Sequence, residues 1–277
     1  MRQYQRFLPG RQRKQNADGD EVSRVHCSTK ALVLRSVDYR ETDRILTLLT
    51  PESGKLTVTA RGSRKRGSTL TAGTQILTWS DMVLYEYRGH WFVKEAAIDR
   101  SFRGVEQDVE RLSLGCYFAE LAEVLSVEGI PAEGILPLIL NSLHILDRQP
   151  GKSLELVKAA FELKLLCLSG YEPLLDGCNV CGEYLTQEYW FSCSEGVLRC
   201  TTCQREGDGQ NLVLLRPAVL DAMRHIAYGN PKKLFSFQLD RDSLIQLSRV
   251  CEGYLTAQLE RGFGTLDFFK QLHPVQQ

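Results

Sequence analysis

Nowhere in the 277-residue chain does a run approach 18 uncharged apolar residues, and the first 26 residues carry six Arg or Lys without an apolar block. Neither a membrane-spanning helix nor a secretory leader is expected, and the cytoplasm is the expected compartment. An excess of either charge is also lacking, since 34 Lys and Arg balance 34 Asp and Glu. No internal repeat is visible. With 43% hydrophobic and 25% charged residues, the composition is that of an ordinary globular protein, which excludes disordered and collagen-like chains.

Signatures of catalysis are missing as well. The five histidines, at 26, 90, 144, 225 and 273, are scattered, without a His-Glu-x-x-His pair, and no nucleophile elbow occurs. Gly62 to Thr69 nearly matches a phosphate-binding loop, but Ser68 stands where the essential lysine belongs and no helix opening follows. The expected protein is not an enzyme.

What is present begins with a hidden asymmetry. Residues 1–104 hold 19 Lys and Arg against 11 Asp and Glu, whereas residues 105–277 hold 15 against 23. A basic part joined to an acidic one points to a polyanion partner for the first alone. The length suits two domains.

Residues 1–27 are polar and lack periodicity, so a disordered basic arm is expected. Short strands follow at Ala31–Val37, Arg44–Thr50, Leu56–Arg61, Ile76–Tyr87 and Trp91–Ile98, with turns at Pro51 to Gly54 and Arg88 to His90. Five short strands over 28–104 predict a small closed barrel of the oligonucleotide-binding (OB) type. From residue 105 the apolar period lengthens toward 3.6, with Val105, Val109, Leu112, Cys116 and Leu121 on one expected face. Leu154 to Leu168 and Leu244 to Leu259 give further helices, and Pro217 opens one running to Tyr228. The fold class is therefore α+β: an N-terminal five-stranded OB barrel, then an all-helical domain over 105–277 interrupted by a cysteine-rich module at 178–203.

Within that module, Cys178 and Cys181 form one Cys-x-x-Cys pair and Cys200 and Cys203 a second. This is zinc-ribbon spacing: two knuckles supply four soft thiolates in a tetrahedron, leaving no position for a substrate water. One structural Zn²⁺ per chain is expected. Cys193 lies close enough to replace a ligand, while Cys116, Cys167 and Cys251 fall on apolar helical faces as core residues.

The run Arg61-Gly62-Ser63-Arg64-Lys65-Arg66-Gly67-Ser68 leaves a strand with dense positive charge. Such a loop, which its glycines and serines are expected to keep mobile, suits a phosphate backbone. Arg40, Lys55, Arg88 and Lys94 add charge in the same domain, and Tyr85, Tyr87, Trp91 and Phe92 offer faces for stacking unpaired bases. The candidate nucleic-acid-binding residues are therefore Arg40, Lys55, Arg61, Arg64, Lys65, Arg66, Arg88, Lys94 and Trp91.

The order of these features, with Leu168-Ser169-Gly170-Tyr171-Glu172-Pro173 ahead of the first knuckle, resembles the bacterial recombination mediator family RecO. Ala31 to Ser36, the run Tyr39 to Lys55 and Ala60-Arg61-Gly62 resemble that family's opening signature, and the likeness covers residues 28–272. The resemblance implies a non-enzymatic protein of RecF-pathway DNA repair, acting at the nucleoid. Such a protein binds single- and double-stranded DNA, anneals complementary strands and helps load recombinase onto strands coated by single-strand-binding protein. Its implied partners are the RecR ring and the C-terminal tail of single-strand-binding protein, and its implied zinc ligands are Cys178, Cys181, Cys200 and Cys203.

Two rivals make different demands. A zinc-ribbon transcriptional regulator reading duplex DNA needs cations around the knuckles, yet between Cys178 and Cys203 stand one Arg and no Lys, against Glu183, Glu188 and Glu195. A metal-dependent nuclease needs a carboxylate cluster or an open metal site, and the sequence marks neither.

Overall fold

The structure, a computed structural model, describes residues 26–184, 188–204 and 212–273. The expected arm therefore lies outside the described residues, except for His26 and Cys27, which open the first strand. Contacts group the chain into two units, residues 1–103 with 119–136 and residues 104–118 with 137–277. No helix of the described residues is long and apolar enough to cross a membrane.

The first unit is built on five strands, β1 (His26–Tyr39), β2 (Asp43–Thr50), β3 (Gly54–Ala60), β4 (Trp79–Tyr87) and β5 (His90–Arg100), with a single helical turn α1 (Leu70–Gly73) after Thr69, where no helix opening was expected. They close in the order β1-β2-β3-β5-β4, the connectivity of an OB barrel. Strand alternation sends Leu46, Leu48, Leu56, Val58, Ala60, Met82, Leu84 and Val93 into one apolar core. β1 is longer than its apolar run because it serves two partners: Cys27 to Leu32 pair with β4 and Val33 to Tyr39 with β2. The fourth strand starts at Trp79 rather than Ile76 because Leu77 is left-handed, at φ 62. Its N–H donates to the Val33 carbonyl at 2.8 Å, tying the turn to β1 instead of continuing β4.

Following the register round the barrel shows its stagger. Val37 pairs with Ile45, Ile45 with Thr59, Thr59 with Phe92, Phe92 with Tyr85, and Tyr85 with His26, back on the starting strand but near its other end. This offset is what lets five short strands close around side chains alone. The β2–β3 turn is clasped by residues 127–132: Lys55 N–H donates to Val127, Gly129 N–H to Ser53 and Ala132 N–H to Pro51. A Cβ at Gly54 would stand 2.0 Å from the Ile130 carbonyl oxygen, so only glycine fits that turn.

The second unit contains α2 (Arg103–Glu106), most of α4 (Ile135–Arg148), α5 (Leu154–Leu168), α6 (Pro217–Tyr228), α7 (Arg241–Leu259) and α8 (Gly264–Leu272), and the division falls inside α3 (Val109–Leu125). Four short strands, β6 (Leu174–Cys178), β7 (Tyr189–Ser192), β8 (Val197–Cys200) and β9 (Leu212–Leu215), form a sheet in the order β6-β8-β7-β9. The cysteine-rich module thus belongs to a small sheet, in which Tyr189, Trp190 and Phe191 form a strand between the knuckles as their residue types suggest. The expected face through Val105 and Val109 is broken, because Asp108 accepts from the N–H groups of Glu110 and Arg111 and starts a new helix there. Val109 is consequently exposed, while Leu114, Tyr117 and Phe118 are fully buried.

α5 packs against α6 and α7 and is buried almost all round. Its buried Lys158 ammonium lies 3.0 Å from Glu162 and 2.9 Å from Glu252. Glu162 also accepts from the Tyr117 hydroxyl at 2.7 Å, and Glu252 pairs with Lys270 at 2.7 Å. Burial pushes the Glu162 carboxyl up against the pull of Lys158. At the end of α8, His273 Nδ1 lies 2.8 Å from Glu110 and Nε2 2.8 Å from Glu155. Ionised carboxylates only accept, so both ring nitrogens must donate and the ring is an imidazolium. Partial burial opposes that charge, but the two carboxylates outweigh it and hold His273 above its ordinary value.

Two predictions follow from these contacts. Lys158→Met leaves Glu162 buried beside Tyr117 without its cation and should lower the unfolding free energy by about 3–5 kcal/mol near neutral pH. The loss should shrink in acid, where Glu162 takes up a proton, as urea unfolding at two pH values will show. For His273 the raised folded-state value makes its contribution complete below the unfolded value of about 6.5 and lost as pH rises through the folded one. The stability gap between wild type and His273→Gln should therefore narrow with rising pH, and a pH series of melting curves measures it.

Candidate nucleic-acid interface and metal centre

The basic loop leaves β3 at Ala60 and is fastened along its length. Gly62, left-handed at φ 64, gives its N–H to the Asp43 carboxylate at 2.7 Å. That bond holds the Asp43 carboxyl below its ordinary value. Arg64 N–H donates to the Thr42 carbonyl at 2.9 Å, and its guanidinium pairs with Asp38 at 3.2 Å. Ser63 is buried and its carbonyl accepts from Thr71 at 2.7 Å. The mobile loop expected from its glycines and serines is therefore a built turn. Asp43, its organiser, escaped the sequence reading, where the only available signal was an acid at a strand start facing a glycine in a later turn.

This fastening sorts the cations. Arg61, Lys65 and Arg66 from the loop and Lys94 from β5 line one open cleft of about 490 Å³, with no carboxylate among its described lining residues. Arg64 is turned to Asp38 instead. Lys55 is half-buried and donates to the Glu123 carbonyl at 2.9 Å, in the last turn of α3, where a cation favours the helix dipole. Arg40 and Arg88 stand on the two hairpin tips, both left-handed at φ 53, with their guanidinium carbons 5.1 Å from the Tyr39 ring centre and 5.2 Å from that of Tyr87. Arg88 and Gly89 both have positive φ, so a two-residue turn joins Tyr87 to His90 with the twist that hairpins favour.

The aromatics divide by face. Trp91 is half-buried and packs against the barrel core. Phe92 and Tyr85 lie on the outer row of the register, stacked with ring centres 5.2 Å apart. The Arg61 guanidinium carbon is 4.1 Å from the centre of the Phe92 ring.

In the second unit, the sulfurs of Cys178, Cys181, Cys200 and Cys203 all lie within 4.8 Å of one another. Each knuckle is a tight turn: Gly182 N–H donates to the Cys178 carbonyl at 2.9 Å, and Cys203 and Gln204 N–H to the Cys200 carbonyl at 3.1 and 3.0 Å. The β6–β8 pairing brings the knuckles together, with Cys178 opposite Leu198. Burial raises the Cys178 thiol, but backbone N–H groups of Cys200, Cys181 and Val180 outweigh it and bring it down to about 6. The thiols of Cys181 and Cys200 push Cys203 up to about 12, a mutual opposition that a shared cation removes. A tetrahedron with metal–sulfur bonds of about 2.3 Å has edges of about 3.8 Å, and Cys181 and Cys200 sulfurs stand 3.8 Å apart. The four residues can hold a metal ion. Cys193 is not among them; it is buried, its thiol is pushed up to about 11 by that burial, and it lies against Gly253. Cys251 is fully buried, and burial raises the Cys116 and Cys167 thiols, the latter to about 12.

Comparison with known families covers both parts of the chain. The chain matches the model "Recombination protein O N terminal" over residues 25–102 and "Recombination protein O C terminal" over residues 106–267. DNA repair protein RecO of Acetivibrio thermocellus is 30% identical over 251 residues, covering 91% of this chain and 99% of its own length. The protein of that name from Heliobacterium modesticaldum is 37% identical over 236 residues, or 83% and 84% of the two chains. That from Alkaliphilus metalliredigens is 29% identical over 245 residues, or 88% and 98%. Both family models match in order, and relatives align over nearly their whole length, so this chain belongs to the RecO family of DNA repair proteins.

Proposed function

We propose that the protein is a DNA-binding recombination mediator of the RecF pathway. It binds single- and double-stranded DNA, anneals complementary strands and helps load recombinase onto strands coated by single-strand-binding protein. The observation that carries this reading is the cleft in which Arg61, Lys65, Arg66 and Lys94 converge, with no carboxylate among its described lining residues and Glu95 3.6 Å from the Lys94 ammonium at its edge. Four cations on a fastened loop and an adjoining strand neutralise consecutive phosphates, releasing counterions whatever the base sequence. Bringing two polyanions together for annealing requires the same neutralisation. Arg40 and Arg88 on the hairpin tips extend the path, while Arg64 and Lys55, held by Asp38 and the end of α3, contribute less.

The acidic balance of residues 105–277 suits contacts with proteins rather than DNA. We assign the RecR ring and the C-terminal tail of single-strand-binding protein to that part, and the protein acts in the cytoplasm at the nucleoid. The metal is Zn²⁺ in a structural role: four cysteines form a closed shell without room for a reacting water. No step of the function breaks a covalent bond, so no catalytic residue is assigned.

Replacing Lys65, Arg66 and Lys94 together by Ala should flatten the slope of log affinity against log salt for a single strand by about 2, at roughly 0.7 per phosphate contact. Arg64→Ala should change the slope far less, because that guanidinium lies outside the cleft and is held by both Asp38 and the Arg40 carbonyl. Fluorescence anisotropy across a salt series measures both; an unchanged slope in the folded triple variant would reduce the loop to a solvated turn. For the metal, purified wild type should contain one zinc per chain. Cys178→Ser should lose it and expose the 178–203 segment to protease, while Cys116→Ser keeps it. Equal metal content in wild type and Cys178→Ser would overturn the ligand assignment.

A further inference from the structure

Arg61 has two neighbours of different chemistry. It lines the cationic cleft with Lys65, Arg66 and Lys94, and it also lies over the Phe92 ring at 4.1 Å. Phe92 belongs to the outer row of the barrel: its register partners are Thr59 and Tyr85, and Tyr85 in turn pairs with His26. The neighbours in sequence or register that point the other way, Val58, Leu84 and Val93, fill the interior. Tyr85 stacks on Phe92 at an interplanar angle of 21°, and the His26 ring centre is 6.2 Å from that of Tyr85. With Tyr85 and Arg61 against it, Phe92 is only 7% exposed although it faces outward. An outward aromatic ring thus has as one of its covers the long side chain of an exposed residue.

We propose that Arg61 is an exchangeable cap on Phe92. A phosphodiester entering the cleft draws the guanidinium off the ring, and an unpaired base of the same strand takes its place. The exchange is favourable on both sides. Guanidinium and phosphate make charge-assisted paired hydrogen bonds, and base stacking on an aromatic is stronger than a solvent-exposed cation–π contact. The ligand class is single-stranded nucleic acid, because a base inside a duplex has both faces occupied by its neighbours. The cleft alone reads phosphates and is blind to pairing; the capped ring adds a preference for unpaired bases. Phe92 has this role through its Arg61 cover, whereas Trp91, one residue away, packs toward the core.

This inference rests on the DNA-binding reading, and the test separates the two. The full-length protein is titrated with an oligothymidylate and with an abasic strand of the same length, which keeps every phosphate and lacks every base. Wild type should prefer the thymidylate by about 10-fold, in the range for stacking of one base. Phe92→Leu should bring the ratio close to one by weakening the thymidylate alone, since the cations are untouched. Arg61→Lys keeps the charge but bares the ring and should retain the preference. Should wild type bind neither strand, the DNA-binding reading itself fails; should it bind both equally, that reading stands and the cap is overturned. Undiminished preference in folded Phe92→Leu also overturns it. A second measurement needs no variant: a 5-iodouridine strand irradiated on the wild-type protein should crosslink at Phe92 or Tyr85, and crosslinks found only outside the Arg61–Phe92–Tyr85–His26 row would sink the proposal.

Discussion

β3 and β5 meet in parallel through Val58 opposite Trp91 and Thr59 opposite Phe92, and this short ladder turns an open sheet into a barrel. Without it both strands would carry unpaired backbone edges, a feature that natural sheets suppress. The seam also positions the cationic cleft. It sets the end of β3, from which Arg61 and the basic loop depart, beside the start of β5, which holds Phe92 and Lys94. The loop's fastening to Asp43 and Thr42 depends on the same region, because Arg44 and Ala60 pair just where the loop leaves. A cleft made from two separate stretches of chain, one of them fastened to β2, thus needs one local piece of sheet pairing to exist.

The two candidate sites solve opposite electrostatic problems. In the barrel, like charges are gathered in one cleft whose described lining residues include no carboxylate, although Lys94 has Glu95 beside it at 3.6 Å. The field is then strongest where the loop cations converge, and steering falls off with salt. At the knuckles, four thiols are brought within contact of one another in a way that disfavours their simultaneous ionisation, and a metal ion held among them would relieve it. The first arrangement gathers an attraction for something outside; the second would use one to tie a small sheet whose strands are only four or five residues long. Strands that short do not hold together by pairing alone.

What could be read from the sequence follows from the range of the interactions. Strand alternation in β2 to β5 and the opening of α6 at Pro217 are local patterns, and they agree with the structure within a few residues. The knuckles were legible because thiolate spacing is a local requirement of the metal. Most misreadings arose where a distant partner decides. Ile76 to Thr78 have strand-like residues, yet Leu77 bonds back to Val33. One missed signal was local: Val105 and Val109 share a helical period, yet Asp108 caps a new helix between them. The basic loop has the composition of a mobile segment, and its rigidity comes from an aspartate 19 residues earlier. The pairing of Arg61 with Phe92 could not be anticipated from either residue's neighbours in sequence, since it exists only once the barrel has closed.

The stagger of the barrel also bears on how such a chain can vary. A path of paired residues that leaves β1 at Val37 returns to it at His26, so each strand's offset contributes to closure. One residue inserted inside a strand would exchange inner and outer faces beyond that point and shift the seam between β3 and β5, unless a bulge absorbed it. Length changes are therefore confined to places where the ladder is interrupted: the tips at Arg40 and at Arg88 and Gly89, the basic loop, and the existing irregularities at Leu34 in β1 and at Lys94 and Asp99 in β5. The β2–β3 turn is closed to such change by its fit against Val127 and Ile130. Divergence among relatives should thus lengthen or shorten the cationic loop and the Arg88 tip while leaving strand lengths fixed, so the reach of the surface can evolve independently of the barrel that holds it.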